Sequence, residues 1–218
     1  MTKTLSDILK QTHECLADSK LLEGMNPTPI PFLTLYRHTE PTVTMPQAES
    51  YLYIVLDSAI RLYTPHGIMD YLAGQYSVSE IDTPLSGHVL TFSKSNDFLA
   101  VSVACSANDV LSVVLDIEGD LAEQIATNTL SKSTKTTCDV NVLHTACRLI
   151  AIRNDPVECA YIAQTLRQEM IFYTLCGSCG TSFLESIIGI GQAGDIYAVN
   201  RWIKQHFRSP FTVVSRSI

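Results

Sequence analysis

Residues 51–104, YLYIVLDSAIRLYTPHGIMDYLAGQYSVSEIDTPLSGHVLTFSKSNDFLAVSVA, decide how this chain folds. Short runs rich in β-branched and aromatic residues recur: YLYIVLD (51–57), AIRLYT (59–64), MDYLA (69–73), QYSVSE (75–80), HVLTFS (88–93) and FLAVSVAC (98–105). Turn formers separate them: TPHG (64–67), Leu72-Ala73-Gly74, DTPLSG (82–87) and KSND (94–97). A further run, FLTLYRH (32–38), lies upstream behind the break TEPTVTMP (39–46). Many short strands at near-regular spacing predict a β-barrel or sandwich over about 30–105.

Outside this block the apolar period becomes helical. Leu5, Ile8, Leu9, His13, Leu16 and Leu21 predict a helix over 4–23, which Asn26-Pro27-Thr28-Pro29 breaks. Downstream, Asn108 is a cap for a helix through DVLSVVLDI that stops at Gly119, and a second helix covers 140–152. A Thr/Ser/Lys-rich connection at 121–137 receives no element. Asp155-Pro156-Val157-Glu158 is a strong helix start, with a capping Asp, Pro in the first turn and an acid that the helix dipole favours. That helix runs to about Leu175, and shorter helices are expected at 181–190 and 193–207.

The chain has 218 residues, 46% apolar and 17% charged, which is globular rather than disordered. No apolar run approaches the roughly 18 residues of a membrane span, and the N-terminus lacks an apolar signal segment, so a cytoplasmic protein is expected. Seven cysteines, an odd number in a chain of this size, argue against a secreted disulfide framework. Cys176-Gly-Ser-Cys179 is a lone CxxC without the second pair a zinc site needs. It reads as a small-residue turn between helices; a redox or metal pair is the lesser alternative.

Charge breaks sharply near the C-terminus. Residues 197–218 hold four basic residues and no acidic one, while residues 1–196 carry a net charge of −11. An acidic body followed by a basic amphipathic helix looks like two modules, and only the second can approach a polyanion. The plainer alternative is a solvated basic face on a terminal helix.

No catalytic constellation is legible. The strand block offers His38, His66 and His88, far apart and without an HxH pair, so hydrogen-bonded histidines are expected rather than a metal site, and no cofactor is called for. P-loop, dinucleotide and nucleophile-elbow signatures are absent from the sequence. Tyrosines are dense in the strand block, mostly as core, with a few as candidate cavity walls.

The order of elements resembles the N-terminal domain of AraC-type transcriptional regulators. The carrying residues are Asp70-Tyr71-Leu72-Ala73-Gly74-Gln75-Tyr76 and Asp82-Thr83-Pro84-Leu85-Ser86-Gly87-His88-Val89. LRQEMIFYTLCG (166–177) is similar to the family's long helix before its linker, and AVNRWIKQHFRSPFTV (198–213) to the first helix of its DNA-binding domain. The resemblance spans about residues 28–214 and implies an α+β fold: a cupin-like β-barrel, about 28–105, followed by an α-helical dimerisation region. It also implies four segments: an N-terminal helix and arm (1–27), the barrel (28–106), the helical region (107–190), and a linker with a truncated helix-turn-helix start (191–218). The family has two helix-turn-helix units and this chain reaches only into the first, so DNA contact is expected only through a C-terminal module in a full-length form.

The implied function is effector sensing and dimerisation, without enzyme activity. Candidate effector residues are Tyr36, His38, Tyr53, Val55, Tyr63, Tyr76, Val78 and His88, with the inward face left open because Leu52, Ile54 and Leu56 form an equally apolar one. Candidate homodimer residues are Tyr161, Ile162, Leu166, Met170 and Ile171. Arg201, Lys204 and Arg208 are the candidate DNA-backbone contacts. Two rivals stand beside this reading: a cupin-type metalloenzyme using His38 and His88, and a stand-alone dimer that pairs with full-length relatives.

Overall fold

The computed structural model describes residues 4–17, 19–45, 51–64, 67–79, 85–93, 97–117 and 135–188. Its strands form two antiparallel sheets. The larger contains β1 (Gly24–Pro27), β2 (Leu33–His38), β9 (Phe98–Ala104), β4 (Tyr51–Asp57), β7 (Gln75–Ser79) and β10 (Lys135–Thr137), in that spatial order. The smaller contains β3 (Thr42–Met45), β8 (Leu85–Thr91), β5 (Ala59–Thr64) and β6 (Gly67–Leu72), also in spatial order. Among the described strands, the two face each other as an open, cupin-like sandwich and do not close into a continuous barrel.

Ser58 makes the corner between the sheets. It is the single residue between β4 and β5, and it holds a left-handed φ of 72°. Its Oγ donates to the Asp97 carbonyl at 3.1 Å, and its own carbonyl accepts from the Ala73 N–H at 3.0 Å. The β6–β7 hairpin turns through Gly74 at φ +80°, a conformation that favours glycine. Gly87 answers a different need: a Cβ there would meet the Arg61 carbonyl oxygen and Leu62 Cδ2 at 2.9 Å.

The larger sheet is covered on both faces. One face looks toward the smaller sheet; the other carries Leu33, Leu35, Leu52, Ile54, Val101 and Val103 into the helical layer. That layer contains α1 (Leu5–Leu16), α2 (Ala107–Asp116), α3 (Val140–Ile152), α4 (Pro156–Cys176) and α5 (Gly180–Ile188). Both α1 and α2 begin with a capping box, Thr4 with Asp7 and Ser106 with Asp109. The cap of α2 is therefore Ser106, not Asn108. Asp155 caps α4 by accepting from the Val157 and Glu158 N–H groups at 2.8 and 3.0 Å, with Pro156 in the first turn.

The structure differs from the sequence reading at the margins. The first helix stops at Leu16 rather than running to 23, and the chain turns to form edge strand β1. Arg153 fixes that exit: its Nη2 donates to the Cys15 carbonyl at 3.2 Å and to Ser19 Oγ, while Nη1 caps α3 at the Ile150 carbonyl. β3 lies inside the expected break 39–46, and β10 inside the connection 121–137. The basic helix at 193–207, with Arg201, Lys204 and Arg208, lies outside the described residues.

Candidate functional site

Two-residue alternation on β2, β4 and β9 sends one set of side chains into the space between the sheets. Tyr36, Tyr51, Tyr53, Val55, Phe98 and Ala100 come from the larger sheet, and Ile60, Leu62, Tyr71 and Val89 from the smaller. The rings pack edge to face: Tyr36 and Tyr53 centroids are 5.3 Å apart, and Tyr51 and Tyr53 are 6.4 Å apart.

Polar groups sit within this aromatic interior in matched pairs. Tyr36 Oη lies 3.1 Å from Ser102 Oγ, and the Tyr71 hydroxyl donates to Ser77 Oγ at 3.1 Å. The buried atoms that find no hydrogen-bond partner among the described residues include the Tyr53 hydroxyl and His38 Nε2. Burial pushes the Tyr53 phenol well above its ordinary value, with a further push from Tyr36 and Tyr51, so it stays protonated. His38 reaches outward with its other nitrogen, Nδ1, which lies 3.1 Å from Glu23 Oε1. Thr39 fixes that carboxylate by donating its N–H and its hydroxyl to Glu23 Oε2, both at 2.8 Å. Burial lowers the His38 pKa, against the upward pull of Glu23. The ring is thus neutral at pH 7, with Nδ1–H donated to Glu23 and Nε2 left as an acceptor.

The structure brings Tyr36, His38, Tyr53 and Val55 together and separates the other candidates. Tyr76 is buried on the opposite face, among Leu52 and Ile54, where its hydroxyl meets Cys179 beneath the helices. Ser77 is the inward residue of β7, so Tyr76 does not line the space between the sheets. Val78 pairs with Leu52 in register. Tyr63 is 45% exposed on the outer face of the smaller sheet, so it lines no interior. His88 is also exposed, because its neighbour Val89 takes the inward position. A metal site joining His38 to His88 fails on that geometry, and among the described residues no three His, Cys, Asp or Glu side chains gather. The interior also holds Tyr51, Tyr71, Ser77 and Ser102, which the sequence reading does not single out. Tyr51 was available from the two-residue period running back from Tyr53, and Tyr71 sits inside the Asp70–Tyr76 motif.

The dimer candidates divide as well. Tyr161 is 81% exposed and Ile162 is partly exposed, but Leu166, Met170 and Ile171 are buried in the chain's own helical core. Those three offer no surface to a partner; the exposed apolar residue beside Tyr161 is Val157, at 67%.

The family model for the N-terminus of AraC-type transcriptional regulators matches residues 29–182. This chain belongs to that family. The AraC-type match covers β2 to β10 and α2 to α4, and it makes this part of the chain the effector-sensing domain of an AraC-family regulator. Among solved structures, the chain is similar to ToxT from Vibrio cholerae O395 bound to (E)-4-(8-methylnaphthalen-1-yl)but-3-enoic acid, at 12% identity and a TM-score of 0.48, covering 83% of this chain and 67% of that one. It is similar to unsaturated-fatty-acid-bound wild-type ToxT from Vibrio cholerae strain SCE256, at 12% identity and 0.49, covering 83% and 65%. A cupin domain from Bordetella pertussis Tohama I gives 14% identity and 0.31, covering 41% of this chain and all of that one. The chain thus spans about two thirds of the length of the ToxT structures. No curated protein matches it. Within the AraC-type motifs, Tyr71 fills the interior, Gly74 makes the hairpin turn, Tyr76 packs under the helices and Gly87 admits the close approach of β5.

Proposed function

We propose that this AraC-type domain binds its effector between the two sheets and passes the occupancy to a helix-mediated homodimer. The observation that carries the reading is the pair of partnerless buried polar atoms, Tyr53 Oη and His38 Nε2, in an otherwise apolar and aromatic interior. Native interiors pair nearly all buried polar groups, so such orphans mark a place for a ligand's polar atoms. The buried lysine or arginine among the described residues is Arg153, held between α1 and α3 away from this interior, which favours an apolar or weakly acidic molecule with few polar points over a polyanion. An effector that prefers one arrangement of sheets and helices shifts the population toward it.

Pairing of two copies is assigned to Val157, Tyr161 and Ile162, the exposed apolar residues of α4. DNA contact in a full-length form is assigned to a C-terminal helix-turn-helix module beginning with Arg201, Lys204 and Arg208, and the site of action to the cytoplasm. Among the described residues no helix is long and apolar enough to cross a membrane. The test is a screen of small apolar and weakly acidic molecules by thermal shift. A binder should raise the melting temperature by mass action, and Tyr53→Ala and His38→Gln should each weaken the shift while the protein stays folded. Binders whose shifts ignore both substitutions would place the sensing site elsewhere.

A further inference from the structure

A cavity of about 480 Å³ lies between the end of α1 and the paired residues Arg37 and Leu99 of β2 and β9. Sites for small molecules span roughly 300–1,000 Å³, so the volume suits one. Leu16, Leu21 and Leu99 give it an apolar wall, and Ala17 is too short to fill the space. His13, Glu14, Arg37 and Asp97 supply its polar groups. None of these residues belongs to the inner aromatic cluster, so the cavity is separate from the space between the sheets.

Both sides of the cavity are fixed by the protein's own contacts. Arg153 holds the α1 exit by donating to the Cys15 carbonyl at 3.2 Å and to Ser19 Oγ. Opposite, the Asp97 carbonyl accepts from Ser58 Oγ at 3.1 Å and from the Ser93 N–H at 2.9 Å. Arg37 Nη2 lies 2.7 Å from Asp97 Oδ1, so those two charges offset one another. Glu14 remains as a carboxylate with no lysine or arginine at ion-pair distance among the described residues. Asp57 stands behind His13, its Oδ2 3.6 Å from Nε2. The C-terminal end of the α1 dipole adds to the negative potential. A cation is therefore favoured here and a carboxylate opposed. A metal ion does not fit the description: the wall is apolar, and among the described residues no three His, Cys, Asp or Glu side chains gather. An organic ammonium carrying an apolar body matches both the charge and the wall.

We propose that this cavity binds a small primary amine, its ammonium between Glu14 and Asp97 and its apolar body along Leu16, Leu21 and Leu99. Such an occupant joins the end of α1 to the corner between the sheets, because Ser58 holds the Asp97 main chain. Neither Tyr53 nor His38 takes part, so the site stands or falls independently of the effector reading above.

The experiment is isothermal titration of the 218-residue chain with 2-phenylethylamine, 2-phenylethanol and 3-phenylpropionate, which share a body and differ in the charge of the head. The amine binds with a Kd of about 1 mM or tighter, the alcohol about tenfold more weakly, and the acid not at all. Ala17→Trp, made at an exposed residue, fills the cavity and weakens amine binding by about tenfold or more. Glu14→Gln, also exposed, weakens it about threefold and flattens its dependence on salt. Circular dichroism and the melting temperature check that both variants are folded. Tyr53→Phe leaves amine binding unchanged. The proposal is overturned if the amine fails to bind in that range, if the alcohol or the acid binds as tightly, or if either folded variant binds the amine unchanged. Loss of amine binding in Tyr53→Phe overturns it as well, by placing the molecule between the sheets.

Discussion

Glu23 and His38 meet at 3.1 Å, joining the loop before β1 to the last residue of β2. The contact gives the domain a pH dependence with a defined sign. Burial holds the His38 pKa below its ordinary 6.5, so the unfolded chain takes up the proton first and stability falls as the pH drops from about 6.5 toward the folded-state value. Glu23 adds a second loss below its ordinary 4.5: burial raises its pKa, but hydrogen bonds from Thr39 and His38 outweigh that and hold it lower. The melting temperature should decline between about pH 7 and pH 5, and His38→Gln should flatten that part of the curve. An equal slope in the variant would remove His38 as the cause.

The buried Tyr53 hydroxyl without a hydrogen-bond partner carries a desolvation cost that an effector can offset. Tyr53→Phe removes the oxygen and keeps the ring, so the ligand-free domain should gain up to about 1 kcal/mol in chemical denaturation. The same variant should respond less to an effector. Loss of stability on this change would mean that the hydroxyl is already satisfied.

On α4, an introduced charge should act differently at an exposed position and at a buried one. Tyr161→Glu alters a side chain that is 81% exposed, and the variant should fold normally while losing dimer in sedimentation. Ile171→Glu places a carboxylate in the core and should cost more than about 3 kcal/mol, enough to unfold a marginal domain. A folded, fully dimeric Tyr161→Glu protein would move the interface off this face.

Arg153 binds α1 to the end of α3 through Cys15 and Ser19. Arg153→Met keeps much of the stem's volume but strands those acceptors, at about 1–3 kcal/mol. Limited proteolysis should then cut first within residues 17–23, between α1 and β1. Unchanged cleavage would show that α1 is held by its apolar face, Ile8 and Leu16, without the arginine.

The strand block and the long helices were legible because their signals are local: two-residue alternation, turn formers, and the Asp155-Pro156 start. Facing was not. On β4 every residue from Tyr51 to Leu56 is buried, so no polar face told the inside from the outside. The inward choice on β7 then had no anchor and came out reversed at Tyr76. Short edge strands escaped because pairing made them, not propensity: β3 sits between Pro41 and Pro46, and β10 has three residues. On α4, apolar side chains lie all around the helix, which hid that Leu166, Met170 and Ile171 are core while Tyr161 is surface. His38 and Glu23 lie fifteen positions apart and meet only because β1 folds back on β2.

The larger sheet acts as a diaphragm, one strand layer thick, shared by two compartments. Tyr53 projects into one of them, and its chain neighbours Leu52 and Ile54 into the other. Close-packed interiors have little slack to absorb a displaced side chain. A shift of the β4 backbone on the aromatic side therefore arrives directly under α1, in the core it shares with the other helices. Distance between the aromatic interior and the helical core is here reduced to the pleat of a single strand.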